Sequence, residues 1–152
     1  MKVITVNRKA FHDYEILDKV EAGMSLTGSE VKSLREGRVS LKDAYVDIRR
    51  REAYLINAHI SIYPNASYNN HEPERERKLL LNKTELRKWE QKIKTRGMSI
   101  VPLQIYATPK GLMKIEIALA KGKREYEKKQ KIKEKDIRRE MDRDLRYYRN
   151  KR

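Results

Sequence analysis

Apolar residues recur at every second position through much of this chain. In AYVDI (44–48), Ala44, Val46 and Ile48 point one way and Tyr45 and Asp47 the other, which is the period of a half-buried strand. Arg50-Arg51-Glu52 reads as a hairpin turn into a second strand, AYLINAHI (53–60). A second hairpin is predicted around Thr108-Pro109-Lys110-Gly111, joining MSIVPLQIYAT (98–108) to GLMKIEIALA (111–120). In its second strand Met113, Ile115, Ile117 and Leu119 face inward, while Lys114 and Glu116 face out. Pro102 has no N–H to give a ladder, so its strand lies at a sheet edge or carries a bulge. DYEILDKVEAGM (13–24) reads as an early strand ending at Gly23.

Two stretches change period from two to between three and four. In SEVKSLREG (29–37), Ser29 is the predicted N-cap, Gly37 the C′ glycine, and Val31 and Leu34 the buried face. In NKTELRKWEQKIKTRG (82–97), Asn82 and Glu85 resemble a capping box, and Leu86, Trp89 and Ile93 form the apolar stripe. YPNASYNNHEPERERK (63–78) is polar and turn-rich, a predicted loop. Several short antiparallel strands with inserted helices predict a mainly β fold with added helices, a small closed barrel of oligonucleotide-binding (OB) type.

Charge sharpens this picture. The chain has 152 residues and a formal net charge of +15, so its predicted partners are polyanions. From Lys121 to Arg152 there are 15 Lys and Arg against 7 Asp and Glu. The predicted division is therefore a barrel over 1–120 and a basic tail over 121–152. The tail consists of good helix formers, uninterrupted after Gly122, with Ile137, Met141, Leu145 and Tyr148 as a thin apolar stripe. So little apolar surface cannot offset ordering entropy, so the tail is expected to be disordered when free and helical when bound to anionic RNA.

The usual signatures of chemistry are missing from the sequence. There is no cysteine, which fits a reducing, cytoplasmic setting. The N-terminal stretch lacks a signal-peptide apolar region, and no apolar run approaches the ~20 residues that span a bilayer. His12, His59 and His71 lack metal-ligand spacing, and His59, on a predicted strand, reads as structural. There is no nucleophile elbow, P-loop or dinucleotide fingerprint. Glu72/Glu74 and Asp142/Asp144 sit among arginines as solvated charge. Binding is the predicted class, with no enzyme activity, cofactor or metal.

NRKAFHDYEI (7–16), EAGMSLTGSEVKSLREG (21–37), RKLLLNKTEL (77–86) and AKGKREYEKK (120–129) occur in this order. Together they resemble the SmpB family of SsrA-binding proteins, over nearly the whole chain. The resemblance implies a six-stranded antiparallel OB-type barrel with about three helices. It implies binding to the tRNA-like domain of transfer-messenger RNA (tmRNA) and delivery to stalled ribosomes for trans-translation. The tail would occupy the vacant mRNA channel near the decoding centre, in a monomer that meets elongation factor Tu through the charged RNA. Neither membrane nor DNA is an expected partner. A ribosomal protein or initiation factor on a similar barrel is the alternative reading; an RNA-processing enzyme is a second.

Beside the resemblance, the residues themselves supply candidates. Asn7, Arg8 and Lys9 are donors suited to phosphate and 2′-hydroxyl groups, and His12 can stack on or bond to a base; Tyr14 either does the same or packs on the barrel. Glu30 either reads a base-edge donor or caps its helix, where the dipole favours it. Lys32 and Arg35 face solvent on that helix. Arg77 and Lys78 are expected phosphate contacts, and one of Leu79–Leu81, taken as Leu80, is expected outside. Lys121, Gly122 and Lys123 join barrel to tail, with Gly122 allowing unusual backbone angles. The expected tail contacts are Tyr126, Glu127, Lys128, Lys129, Lys131, Lys133, Arg138 and Arg139. Tyr126-Glu127-Lys128-Lys129 departs from the family's usual His/Tyr-Asp-Lys-Arg, which removes an arginine's bidentate geometry.

Overall fold

The structure is a computed structural model that describes residues 1–62 and 70–123. Its elements are β1 (Lys2–Val6), α1 (Arg8–Asp13), β2 (Tyr14–Met24), α2 (Gly28–Arg35), β3 (Val39–Ser40), β4 (Tyr45–Arg49), β5 (Glu52–Ile56), β6 (His59–Ile60), β7 (Arg77–Leu80), α3 (Lys83–Arg96), β8 (Ser99–Ala107) and β9 (Met113–Gly122). The large sheet runs β1-β8-β4-β5-β7-β2-β9, and β9 also pairs with β8. The pairing thus returns on itself through six antiparallel strands, with β1 added outside the ring and β3–β6 as a small second sheet. This is the architecture expected of an OB-type barrel.

Both predicted hairpins form. Arg49 pairs with Glu52, so Arg50 and Arg51 are a two-residue loop, with φ of 49° and 64°. That is the sign pattern of the primed turns whose twist matches paired strands. The second hairpin closes with Gly111 N–H donating to Thr108 O and Thr108 N–H donating to Leu112 O, both at 2.8 Å. Gly111 takes φ 83°, where a Cβ would be strained. Pro102 is not at an edge, because β8 has partners on both sides. The ladder shifts register between Pro102 and Gln104 instead, the bulge alternative.

Other elements correct the sequence reading. α1 was not legible as a helix: of its six residues only Ala10 is buried, which leaves no periodic stripe. The N-cap of α2 is Thr27, not Ser29; Thr27 and Glu30 form a reciprocal capping box. Its buried residues are Ser29, Glu30, Ser33 and Leu34, so the helix turns a polar face inward. β9 continues through Gly122 in pairing with Tyr14, and the chain divides after Gly122 rather than after residue 120. Gly122 lies in this extended pairing, so unusual backbone angles are not its role.

The main core fills the ring with Val46, Leu55, Ile100, Ile105, Ile115, Ile117 and Leu119, joined by Leu34, Leu86 and Trp89 from the helices. A second cluster, Ala10, Val101, Leu103, Ala118 and Ala120, joins α1 to β8 and β9, with Tyr14 and Ile16 packed against it. This places Tyr14 on the barrel rather than out for stacking. Ile117 is wholly buried in the ring. Ile117→Ala is expected to lower unfolding free energy by about 3 kcal/mol, whereas Leu112→Ala, at 57% exposure, changes it by less than about 0.5 kcal/mol. Urea titration of the two variants measures the difference.

Candidate nucleic-acid interface

Glu30 and Arg77 are both fully buried. Burial alone would push the Glu30 carboxyl up. Hydrogen bonds from Arg75, from the Thr27 N–H and from Arg77, with the Arg77 charge, pull it below its ordinary value. Arg75 Nη2 donates to Oε1 at 2.5 Å, Thr27 N–H to the same oxygen at 2.9 Å, and Arg77 Nε to Oε2. The rest of the Arg77 guanidinium is spent on backbone: Nη1 donates to Ala58 O at 2.7 Å and Nη2 to Pro73 O at 3.0 Å. One carboxylate and one guanidinium therefore tie together the start of α2, the β5–β6 connection, the 72–76 segment and β7.

A histidine completes the joint. His71 Nε2 lies 2.8 Å from Ile60 O, a carbonyl that can only accept, so Nε2 carries the proton. Nδ1 lies 2.8 Å from Ser29 Oγ, within hydrogen-bond distance. Ser33 Oγ donates to Ser61 O at 2.7 Å. The inward polar face of α2 is thus matched residue by residue. His71, not His59, is the buried structural histidine; His59 is exposed and 3.9 Å from Glu74.

Three sequence candidates are corrected by this geometry. Arg77 is no phosphate contact in this fold: its donors are consumed inside the protein. Asn7 is likewise buried. Its Nδ2 donates to Leu41 O and Pro102 O, its Oδ1 accepts from Ala10 N–H, and its own N–H donates to Leu103 O. Asn7 therefore caps α1 and occupies the carbonyls set free by the β8 bulge. Glu30 is held between cations in the interior, so it presents no carboxylate to a base edge.

The other described candidates are at the surface and fall into two groups. Arg8, Lys9 and His12 lie on α1, next to the start of β2, where Tyr14 pairs with Gly122 and Glu15 with Lys121. α1 and Lys121–Lys123 are therefore neighbours. Lys9 Nζ lies 3.5 Å from Asp43, and His12 Nδ1 lies 2.9 Å from Asp13. The second group is at the far end of β2, where Gly23 pairs with Leu80, roughly 30 Å along the strand. Here Leu79 is buried and Leu80 is 57% exposed, so Leu80 is the outward leucine. Lys78 bonds Glu52 at 3.0 Å, and Tyr54 Oη donates to the same carboxylate at 2.7 Å, which holds it below the usual carboxylate range. Lys32 and Arg35 are exposed on α2, beside this end. The tail candidates Tyr126, Glu127, Lys128, Lys129, Lys131, Lys133, Arg138 and Arg139 lie outside the described residues.

The residues missed in the sequence are Thr27, Ser29, Ser33, His71 and Arg75. The Thr27-x-x-Glu30 spacing was a readable capping-box signal; the others depend on partners far along the chain. Among the described residues no three His, Asp or Glu side chains group to hold a metal, and no helix is long and apolar enough to cross a membrane.

Arg77 cannot shed its proton, so protonating or neutralising Glu30 leaves a buried charge alone. Glu30→Gln is expected to cost about 3–5 kcal/mol of stability. Because the folded carboxyl titrates below its ordinary value, this contribution is whole above about pH 5 and is lost as pH falls through the lower folded value. Urea unfolding between pH 3 and 7 should show wild type losing stability with acid, and Glu30→Gln losing less.

The SmpB protein family model matches residues 4–147. An SsrA-binding protein from Syntrophobacter fumaroxidans is 53% identical over 142 residues, spanning 93% of this chain and 88% of its own length. One from a Sulfurihydrogenibium species is 55% identical over 141 residues, spanning 93% and 92%. A solved structure described as "tmRNA-SmpB: a journey to the center of the bacterial ribosome" superposes with a TM-score of 0.68 at 45% identity, covering 82% of this chain and 87% of that one. With a barrel of the expected topology and a match over almost its whole length, the chain belongs to the SmpB family.

Proposed function

We propose that this protein is an RNA-binding adaptor that binds the tRNA-like domain of tmRNA and brings it to stalled ribosomes for trans-translation. The observation that carries this reading is family membership over residues 4–147, with relatives named for SsrA binding and a structural neighbour described as a tmRNA–SmpB ribosome complex. The geometry is suited to it. Cations stand at both ends of β2, so one barrel can meet two RNA surfaces at once.

In this reading Lys78, Leu80, Lys32 and Arg35 form one contact surface. Leu80 supplies an apolar face for an unstacked base and the lysines and arginine supply phosphate donors. Arg8, Lys9 and His12 with Lys121 and Lys123 form the other. Residues 124–152 continue from that second end, and their basic tail enters the mRNA channel when no message fills it. The protein works as a cytoplasmic monomer, meets elongation factor Tu only through the charged RNA, and catalyses no bond change.

A titration with the tRNA-like domain of tmRNA across a salt series, against an equal-length unrelated structured RNA, tests the reading. Selective binding that persists as salt rises is expected. Equal binding of both RNAs, lost together with salt, overturns it, because charge alone is then acting. Leu80→Ser is expected to weaken the selective complex about tenfold, in line with about 1.5–3 kcal/mol for burying a leucine side chain, and to leave binding of the unrelated RNA unchanged.

A further inference from the structure

The β4–β5 turn carries the wrong residues for its shape. A two-residue loop with positive φ at both positions favours Asn-Gly, because a larger side chain is strained there. This chain places arginine at both, with φ of 49° and 64°. The structure sets them on the rim of a cleft of about 260 Å³ whose other wall is the start of α3, with Lys83 and Arg87 one helical turn apart and Leu86 between them.

The charges in this cleft are not balanced locally. Two carboxylates, Glu52 and Glu90, line the same cleft, and both are engaged by partners outside it. Glu52 accepts from Tyr54 and Lys78, and Glu90 pairs with Lys94 at 3.4 Å. Among the described residues, none of Arg50, Arg51, Lys83 and Arg87 makes an ion pair. Four cations thus line one cleft, repelling one another in the free protein. An anion entering it relieves that repulsion, and guanidinium pairs suit a phosphodiester's two oxygens. The cleft also adjoins the Leu80 surface: Ala53 pairs with Leu79, which sets Glu52 beside Leu80.

We infer that Arg50, Arg51, Lys83 and Arg87 form a phosphate-binding cleft for the sugar–phosphate backbone of a structured RNA, extending the Leu80 surface over the β4–β5 turn. This rests on the proposal that the Leu80 end of the barrel meets RNA. It adds a site, its ligand chemistry and a reason for a strained turn.

The test uses the full-length protein and two variants, Arg50→Asn/Arg51→Gly and Arg87→Gln. The first restores the preferred turn residues, so its melting temperature should rise by a few degrees. Its affinity for the tRNA-like RNA should nonetheless fall about tenfold at 0.15 M salt, with the slope of log affinity against log salt shallower by about 2. Arg87→Gln should melt as wild type does and flatten the slope by about 1. Unchanged slopes in folded variants overturn the cleft, whatever the selectivity of wild type. Flattened slopes alongside a wild type that does not prefer the tRNA-like RNA would keep the cleft and overturn the adaptor reading instead.

Discussion

The buried contact between Glu30 and Arg77 is the constraint on which one end of this barrel depends. Two fully buried opposite charges are tolerable only when each is matched and every remaining donor finds an acceptor. Here Arg77 reaches the Glu30 carboxylate and the carbonyls of Ala58, Glu72 and Pro73, and Glu30 accepts from two arginines and one amide. Satisfying them fixes where α2 begins, where the 72–76 segment runs and how β7 lies against β2. The position of Leu80 follows. With Leu79 turned inward by its neighbours in the core, strand alternation turns Leu80 outward at a spot that the ion pair holds still.

The opposite end of the barrel is set by a neutral group. Asn7 meets the bulge at Pro102 and starts α1 with the same side chain. One amide thus places Arg8, Lys9 and His12 beside the strand that leads into Lys121 and Lys123. At both ends a buried polar residue does the positioning and the cations next to it stay in water. Among the described residues the interior polar groups are matched, the buried Arg75 Nε apart, which leaves the exposed charge available for a polyanion.

β2, β4, β5, β8 and β9, both hairpin turns and the bulge alternative at Pro102 were legible because they rest on local rules: period two, loop length and the missing proline N–H. β1, β3 and β7 were not, and the strand expected over 53–60 breaks at Asn57, with φ 60°, into β5 and β6. The long helix α3 was legible from Leu86, Trp89 and Ile93. The misreadings share one cause. Asn7 and Arg77 carry donors of the type that suits RNA, but what consumes those donors lies far off in sequence, at Pro102, Leu41 and Ala58. The same holds for His71, which looked like part of a polar loop until Ile60 and Ser29 were placed around it. α1 buries one alanine and has no pattern to read. Arg50 and Arg51 were read correctly as a turn, yet their charge meaning needed α3 beside them. Family resemblance supplied the partner class, which no residue pattern here could have specified.

The central claim is that Glu30 and Arg77 act on RNA binding only by holding the Leu80 end in place. The most direct measurement is the affinity of the Glu30→Gln/Arg77→Met double variant for the tRNA-like domain of tmRNA, taken under conditions where amide hydrogen exchange shows β7 and the start of α2 as well protected as in wild type, so that the Leu80 end is still in place. Replacing both charges removes the unpaired ion that either single change would leave. The account predicts binding within about threefold of wild type, a difference under about 1 kcal/mol. A folded double variant that has lost binding by a hundredfold would contradict it, because one of these two side chains would then have to meet the RNA itself.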